Sequence, residues 1–413
     1  MRRRELKIGI VVGFIALVLG FSADFAASPT QFIAPDEPDP AVWGQFFPLH
    51  YESYLKTQEM EPTKHGGSVP FDKLEKNPRL LTIFAGNPFS IDYKEERGHF
   101  YSLTDAMMTR RLGNAKPGTC MTCKSAAVPR LIMEKGGPAE FYRTPFYDMA
   151  EQAKHPVACA DCHDSQTMAL RISRPALREA LQQQGVDINR LTRDQMRLLV
   201  CAQCHVEYYF RGPDRYLVFP WAKGTKIEEI ESFYDEIGFR DFVHAISGAN
   251  IIKIQHPEYE LFTADSPHFQ LGLACADCHM PFQSDKRITS HWWTSPLKHM
   301  EQSCSRCHGR DTARLRARVE AIQDTTARLL EEAEVALVNA IQAIKSAADT
   351  PGVNEQALAE ARALHRKAQI RWDFIAAENS TGFHNSREAQ RVLTAAKEFA
   401  LQAAATARRA AGG

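Results

Sequence analysis

The sequence predicts a mainly α fold with long helices at its C-terminal end and few short strands. The stretch from Thr312 to Ala348 is rich in Ala, Glu and Arg and contains no Pro or Gly. Few segments elsewhere alternate apolar and polar residues as half-buried strands do. All ten cysteines lie in regularly spaced pairs in the middle of the chain, which predicts that something other than side chains contributes to the core there.

The first 27 residues predict an export signal. Three arginines at positions 2–4 form a basic start, Ile8 to Phe21 is almost entirely apolar, and small residues follow up to Ala27. This order is typical of a secretory signal. The apolar run is shorter than the roughly 20 residues that span a bilayer. We therefore expect residues 1–27 to be a signal peptide, with a retained N-terminal anchor as the alternative.

Residues 28–95 are rich in Pro and Gly and predict a loop-rich N-terminal segment with short helices. Across the whole chain, 50 Lys and Arg residues balance 50 Asp and Glu residues, so the formal net charge is zero. That balance argues against nucleic acid as a partner.

Residues 311–413 predict a long-helix C-terminal region. Apolar residues recur at three- and four-residue spacing from Thr312 to Ala348, and Pro351 ends this helix. A second helix is expected from Asn354 to about Glu378, and a third from Asn385 to about Ala410, with Glu388 completing a capping box. The length of the apolar stripe predicts packing against other helices, and we expect a dimer interface here.

The ten cysteines form five Cys-x-x-Cys pairs with none left over. They are Cys120/Cys123, Cys159/Cys162, Cys201/Cys204, Cys275/Cys278 and Cys304/Cys307, and four of the pairs are followed directly by His163, His205, His279 and His308. Cys-x-x-Cys-His is the attachment signal of c-type haem. Zinc sites need two such pairs for each ion, and a redox pair would not recur five times. The sequence therefore predicts a multihaem cytochrome with five c-type haems, held within residues 96–310 and forming the core.

The first pair ends in Lys124 where the other four end in histidine. A neutral lysine amine can donate to iron but has no π-accepting ring, so it would change the electronics of that haem alone. This makes the Lys124 haem the natural place for catalysis. The alternative is a degenerate site whose iron takes its ligand from elsewhere.

Haems that only transfer electrons usually have a second protein ligand, and the chain has 15 histidines to supply them. The candidates are His50, His65, His99, His155, His244, His256, His268, His291, His299, His365 and His384. Spacing alone does not choose among them. Glu207 and Gln255 offer hard oxygen ligands suited to calcium, but by themselves they are a weak signal.

One Cys-x-x-Cys-Lys followed by four Cys-x-x-Cys-His motifs resembles the pentahaem cytochrome c nitrite reductases, the ammonia-forming enzymes of the periplasm. The resemblance extends from about Glu95 to Glu388. It implies a catalytic group of Arg111, Tyr208 and His256 around the haem that is bound through Lys124. Arg110 is adjacent to Arg111, so the alignment leaves a one-residue alternative.

The resemblance also implies a ligand set for each metal. Calcium is expected at Glu207, Tyr208, Lys253 and Gln255, with Tyr208 and Lys253 using their backbone carbonyls. The expected distal ligands are His99 for the third haem, His268 for the fifth, His291 for the second and His384 for the fourth. His299 rivals His291 because both precede the last motif.

The implied function is the six-electron reduction of nitrite to ammonium, with Arg111 and His256 offering positive charge and hydrogen bonds to the substrate. The implied electron donor is a membrane-anchored multihaem quinol dehydrogenase, and the implied assembly is a homodimer in the periplasm. Two other functions remain open at this point: a non-catalytic electron-transfer cytochrome and a multihaem enzyme that oxidises hydroxylamine.

Overall fold

A computed structural model describes residues 33–412. The predicted export signal, residues 1–27, lies outside this range. Within residues 33–412, no helix is long and apolar enough to cross a membrane.

Helices dominate the chain, which confirms the predicted mainly α fold. They are α1 (Pro40–Phe46), α2 (Pro48–Leu55), α3 (Lys73–Lys76), α4 (Arg79–Ile83), α5 (Ser102–Met108), α6 (Val128–Glu134), α7 (Pro138–Arg143), α8 (Phe146–Ala153), α9 (Cys159–Cys162), α10 (Pro175–Gln183), α11 (Arg193–Leu199), α12 (Ile227–Glu236), α13 (Glu258–Thr263), α14 (Pro267–Gln270), α15 (Cys275–His279), α16 (Ser305–His308), α17 (Thr312–Ala348), α18 (Glu355–Ala376) and α19 (Ser386–Ala410). Short 3-10 helices cover Lys56–Gln58, Pro88–Ser90, His99–Tyr101, Gly113–Ala115, Gly118–Met121, Ile188–Arg190, Pro296–Lys298 and Phe383–Asn385.

The strands are short and pair only with their neighbours in sequence. Four antiparallel two-stranded ribbons join β1 (Pro62–Thr63) to β2 (Gly66–Gly67), β3 (Tyr209–Arg211) to β4 (Tyr216–Val218), β5 (Phe242–Val243) to β6 (Asn250–Ile251), and β7 (Phe282–Gln283) to β8 (Ile288–Thr289). In the longest ribbon Tyr209 lies opposite Val218. These ribbons shape loops and do not form a sheet layer.

The three C-terminal helices lie at the positions predicted from the sequence. Each begins at a side-chain cap: Asp311, Asn354 and Asn385 accept hydrogen bonds from backbone N–H groups in the first turns of α17, α18 and α19. Such caps satisfy N–H groups that have no partner within the helix. The three helices pack through a core rich in small residues, including Ala340, Ala361 and Ala396, all fully buried. Small side chains let the helix axes approach closely, so these helices form a continuous bundle.

The segment that holds the cysteines has a different architecture. Its helices α5 to α16 are 4 to 10 residues long. A cavity of about 1610 Å³ runs between them. Protein interiors are normally close-packed, with few voids larger than a water molecule. A void of this size indicates space for large bound groups.

Candidate haem-binding and active site

The cavity follows the cysteine motifs. Nine of the ten cysteines line it, and Cys307 is exposed. All ten cysteines lie within the described residues and none forms a disulfide. Paired thiols, adjacent histidines and a large cavity form the donor set that c-type haem requires, so the residues present fit the predicted cofactor.

Four histidine pairs face each other across this space. The ring centroids are 6.2 Å apart for His163 and His291, and 5.9 Å apart for His205 and His99. They are 6.3 Å apart for His279 and His384, and 6.1 Å apart for His308 and His268. Two imidazoles that bind one metal ion from opposite sides have centroids about 6 Å apart, because each metal–nitrogen bond is about 2 Å long. Each pair therefore has the spacing to share one iron.

His299, the alternative to His291, does not face His163. His299 directs Nε2 at the carbonyl oxygen of Cys278, 3.2 Å away, and its ring lies against Trp292. His291 instead faces His163, with His50 also nearby at 5.2 Å between centroids. The geometry therefore favours His291 over His299 as the partner of His163.

Lys124 forms an ion pair that the sequence did not predict. Its Nζ lies 2.7 Å from Oε2 of Glu96. Burial alone would raise the pKa of the Glu96 carboxyl, but Lys124, with His256 and Arg111 close by, holds this pKa at about 2. Burial by itself lowers the pKa of the Lys124 amine, and the Glu96 carboxylate raises it overall. Iron ligation would need the neutral amine, so Lys124 would give up the charge that it has in this ion pair, and its remaining N–H groups could still donate to Glu96.

The two adjacent arginines point to different places. Arg111 lines the cavity, and its guanidinium lies 4.3 Å from the centroid of the Phe89 ring. The side chain of Arg110 is 71% exposed, and its backbone N–H donates to the buried carboxylate of Asp92 at 2.6 Å. The structure therefore brings Arg111, and not Arg110, towards Lys124.

Tyr208 and His256 line the same cavity as Arg111 and Lys124. The Tyr208 ring stacks on Phe210, and burial raises the pKa of its hydroxyl well above the usual range. Burial lowers the pKa of His256 to about 4. At neutral pH His256 is therefore an uncharged hydrogen-bonding group. This differs from the sequence-based expectation that it would add positive charge, because desolvation of the ring outweighs the nearby carboxylates.

Hydrogen bonds link three of the four expected calcium ligands, Glu207, Gln255 and Lys253. Glu207 is fully buried; its Oε1 accepts from the Tyr234 hydroxyl at 2.8 Å and its Oε2 from the Gln255 backbone N–H at 2.6 Å. The Gln255 side-chain amide donates to the carbonyl oxygen of Lys253 at 2.8 Å. Burial raises the pKa of Glu207 well above its usual range. A cation bound here would stabilise the charged carboxylate, so this oxygen-rich set fits calcium.

The ammonium of Lys253 points away from the oxygen-rich set. It lies 3.0 Å from Oδ1 of the buried Asp373. This leaves the backbone carbonyl of Lys253 as its contribution to the set, as the resemblance implies. Within the described residues there is no group of three or more His, Cys, Asp and Glu side chains that could hold a metal ion, and the expected calcium set, with a single carboxylate, is not of that kind.

Comparison with known proteins identifies the family. The sequence profile of the cytochrome c552 family matches residues 39–412. A cytochrome c-552 of Bacteroides thetaiotaomicron is 41% identical over 367 residues, which cover 86% of this chain and 74% of the relative. The cytochrome c nitrite reductase subunit NrfA of Nitratidesulfovibrio vulgaris is 37% identical over 400 residues, covering 86% and 76%.

A solved structure has the same fold. The catalytic subunit NrfA of the cytochrome c nitrite reductase from Desulfovibrio desulfuricans, described with two calcium sites, superposes with a TM-score of 0.86 and 35% identity. The alignment covers 92% of this chain and 88% of that one. The predicted multihaem cytochrome fold and the resemblance to the nitrite reductases are therefore confirmed: this chain belongs to the cytochrome c552 family and is of the NrfA type.

Proposed function

We propose that this protein is a cytochrome c nitrite reductase that reduces nitrite to ammonium at the haem attached to Cys120 and Cys123. The observation that carries the proposal is the arrangement of ligands. Four facing histidine pairs account for the four Cys-x-x-Cys-His motifs. The remaining motif ends in Lys124, and the Glu96 carboxylate that pairs with Lys124 also lies close to His256 and Arg111.

The overall reaction combines one nitrite with six electrons and eight protons, and yields one ammonium and two water molecules. When bound, five haems would supply one-electron transfer, and the haem held at Cys120, Cys123 and Lys124 would supply the site for nitrite. The residues that would hold the irons are Lys124 for the first haem and the four histidine pairs for the others, His163 with His291, His205 with His99, His279 with His384, and His308 with His268.

The side chains around Lys124 bind and orient the substrate. Arg111 carries a positive charge and two or more N–H donors, which suit the oxygens of an anion. Neutral His256 donates one N–H, and the Tyr208 hydroxyl donates a hydrogen bond or a proton. Because these groups are fixed in a buried cavity, they stabilise charge that develops on oxygen as N–O bonds break.

Calcium is proposed at Glu207, Gln255 and the backbone carbonyls of Tyr208 and Lys253. The two calcium sites of the Desulfovibrio desulfuricans protein support this part of the proposal. The cation would fix the position of Tyr208 and neutralise the buried Glu207. We further propose export to the periplasm, dimerisation through residues 311–413, and a membrane-anchored multihaem quinol dehydrogenase as the electron donor.

The direct test is anaerobic nitrite turnover by the haem-loaded protein with a reduced dye, with ammonium as the measured product. Arg111→Gln should lower turnover strongly, whereas Arg110→Gln, at the exposed neighbouring position, should not. The EPR spectrum should contain a high-spin haem signal from the open site. Five low-spin haems without nitrite consumption would instead identify an electron-transfer cytochrome, and hydroxylamine oxidation without nitrite reduction would identify the other alternative.

Calcium is tested by metal analysis and turnover after chelation. We expect Glu207→Gln to contain one calcium fewer than the wild type, and the chelated wild type to lose activity that added calcium restores. Glu231→Gln is the matched control, since Glu231 is a buried carboxylate that pairs with Arg371. Equal calcium content in all three proteins would contradict the assignment.

A further inference from the structure

The proposed histidine ligands differ in the group that lies beside Nδ1, the ring nitrogen that would face away from the iron. In the second motif's pair, Nδ1 of His163 lies 3.0 Å from the carbonyl oxygen of Met168, and Nδ1 of His291 lies 2.9 Å from that of Thr289. Nδ1 of His279 lies 2.9 Å from the carbonyl oxygen of Thr294. These partners are neutral.

Two other ligands face carboxylates. Nδ1 of His205 lies 3.7 Å from Oε2 of Glu258, and Nδ1 of His384 lies 3.4 Å from Oε2 of Glu378. The side chains of Glu258 and Glu378 are 9% and 0% exposed. Within residues 33–412, the histidines of the second and fifth motifs have no such contact. The third and fourth haems are therefore distinguished from the second and fifth by a buried negative charge.

One loop, residues 377–385, holds both carboxylates in place. Oε1 of Glu258 accepts hydrogen bonds from the backbone N–H and the side-chain amide of Asn379, at 3.2 and 2.8 Å. Its Oε2 has no hydrogen-bond partner and is left facing His205. Glu378 accepts from the backbone N–H groups of Ser380, at 2.8 Å, and Gly382, at 2.5 Å.

The loop depends on glycine at position 382. Gly382 has a φ of 78°, in the left-handed region, and a Cβ there would clash with Thr326. Only glycine adopts this conformation without strain. The loop conformation therefore fixes the backbone N–H of Gly382 against Glu378. The same loop carries the backbone N–H of Asn379 that donates to Glu258.

We infer that Glu258 and Glu378 are positioning residues that lower the reduction potentials of the third and fourth haems by holding a negative charge against His205 and His384. This inference rests on the proposed haem ligation. Oε2 of Glu258 and Nδ1 of His384 have no hydrogen-bond partner, so the two carboxylates would act through their charge and not through a hydrogen bond to the ring. A buried negative charge beside a histidine ligand favours ferric over ferrous iron. The third and fourth haems would therefore have lower reduction potentials than the second and fifth, which changes the driving force for electron transfer between them.

The test is an EPR-monitored potentiometric titration of the haem-loaded protein. Glu258→Gln and Glu378→Gln keep the side-chain shape and an acceptor oxygen but remove the charge. Each should raise the midpoint potential of one low-spin haem, a different haem in each variant, and leave the others unchanged. A shift of the reduction equilibrium by about tenfold corresponds to about 59 mV for a one-electron couple. Glu231→Gln, a buried carboxylate remote from the haem ligands, should shift no potential.

Unchanged potentials in both Gln variants, with five haems retained, would overturn the inference. A Gln variant that loses haem is replaced by the Asp variant, which keeps the charge but shortens its reach; a smaller rise is then expected, and an unchanged potential again overturns the inference. Failure of the proposed function would appear separately, as a wild-type protein that forms no ammonium from nitrite, and failure of the proposed ligation as a wild-type protein without four low-spin haems of bis-histidine type.

Discussion

The two halves of this protein keep their shape by different means. In residues 311–412, three long helices bury each other's apolar faces, and Leu337, Ile341 and Ala396 are completely inaccessible to solvent. In residues 96–310, helices of 4 to 10 residues surround a cavity of about 1610 Å³ lined by cysteine and histidine. The bundle's core consists of side chains, including some from outside the bundle such as Ile83 and Ile230. The haem-binding half also has a hydrophobic cluster, but beside it lies a large space that side chains do not fill.

This difference predicts where stability comes from. Apolar burial stabilises the bundle at about 25 cal/mol per Å² of apolar surface, whatever is bound elsewhere. A large void forfeits the packing contacts on its walls, so the haem-binding half must obtain them from bound porphyrin. Metal-dependent domains are similarly unfolded when their metal is missing. We therefore expect loss of haem to destabilise mainly the haem-binding half, and loss of a buried side chain in the bundle to destabilise mainly the bundle.

The largest effect is expected when haem attachment is prevented. In a Cys201→Ser, Cys204→Ser variant, the third haem loses both covalent bonds, and residues around it should lose their protection from hydrogen exchange. Helices α17 to α19 should lose less protection, because α17 and α18 contribute only part of one face to the cavity wall, including Leu330 and Trp372, and most of their buried core packs against other helices. Hydrogen exchange measured by mass spectrometry, with the wild type as reference, checks this. Equal loss of protection in both halves would show that the bundle also depends on haem.

The second prediction concerns the bundle, where a large-to-small substitution would leave a cavity in the core. Leu337 in α17 is fully buried, and Leu337→Ala should lower the free energy of unfolding by about 3 kcal/mol. Nitrite turnover at temperatures well below unfolding should stay at the wild-type level, since Leu337 does not line the haem cavity. Denaturant unfolding followed by far-UV circular dichroism measures the first effect. Leu401→Ala, at a position 54% exposed, is the control and should cost less than about 0.5 kcal/mol.

A change at the proposed catalytic haem should alter chemistry without altering either half's packing. We expect Lys124→His to retain five haems but to lower ammonium formation about 100-fold, a loss of about 2.7 kcal/mol of transition-state stabilisation. The physical reason is the changed axial ligand. Lys345→His, on the exposed surface of α17, should leave turnover unchanged. Wild-type activity in Lys124→His would remove the special role of Lys124.

The smallest effect concerns the contact between the halves. His365 on α18 is fully buried between Ser247 Oγ, at 3.0 Å, and Gln369 Oε1, at 2.8 Å. Burial lowers its pKa to about 3, below the ordinary value near 6.5. The unfolded state therefore binds the proton more readily between these values. Stability should be fully present above pH 6.5 and fall as the pH drops from 6.5 towards 3.

His365→Gln tests this contact. The variant should lose part of the acid-induced decrease in unfolding free energy, measured between pH 7 and pH 4. An unchanged slope would mean that other groups account for the acid sensitivity of the interface.

Sequence patterns predicted the bundle better than the haem-binding half. Helix α17 has the expected bounds, and α18 and α19 begin within one residue of the expected caps. Periodicity and capping are local signals, so a single sequence contains them. The helices of the other half are too short to show a long periodic pattern, although α6, α7, α8 and α10 do pack into a hydrophobic cluster. Glu96 was missed for a similar reason: its contact with Lys124 joins two segments without any shared motif.

What the sequence by itself predicted is the set of covalent haem attachments and their proximal ligands. Two cysteines and the following residue act within one turn of chain, so Cys120, Cys123 and Lys124 are recognisable without a structure. Only the tertiary structure decided which distant groups face them: His291 and not His299 opposite His163, Arg111 and not Arg110 in the cavity, and Glu96 beside Lys124. These contacts join segments far apart in the chain, and they depend on how the helices and loops pack.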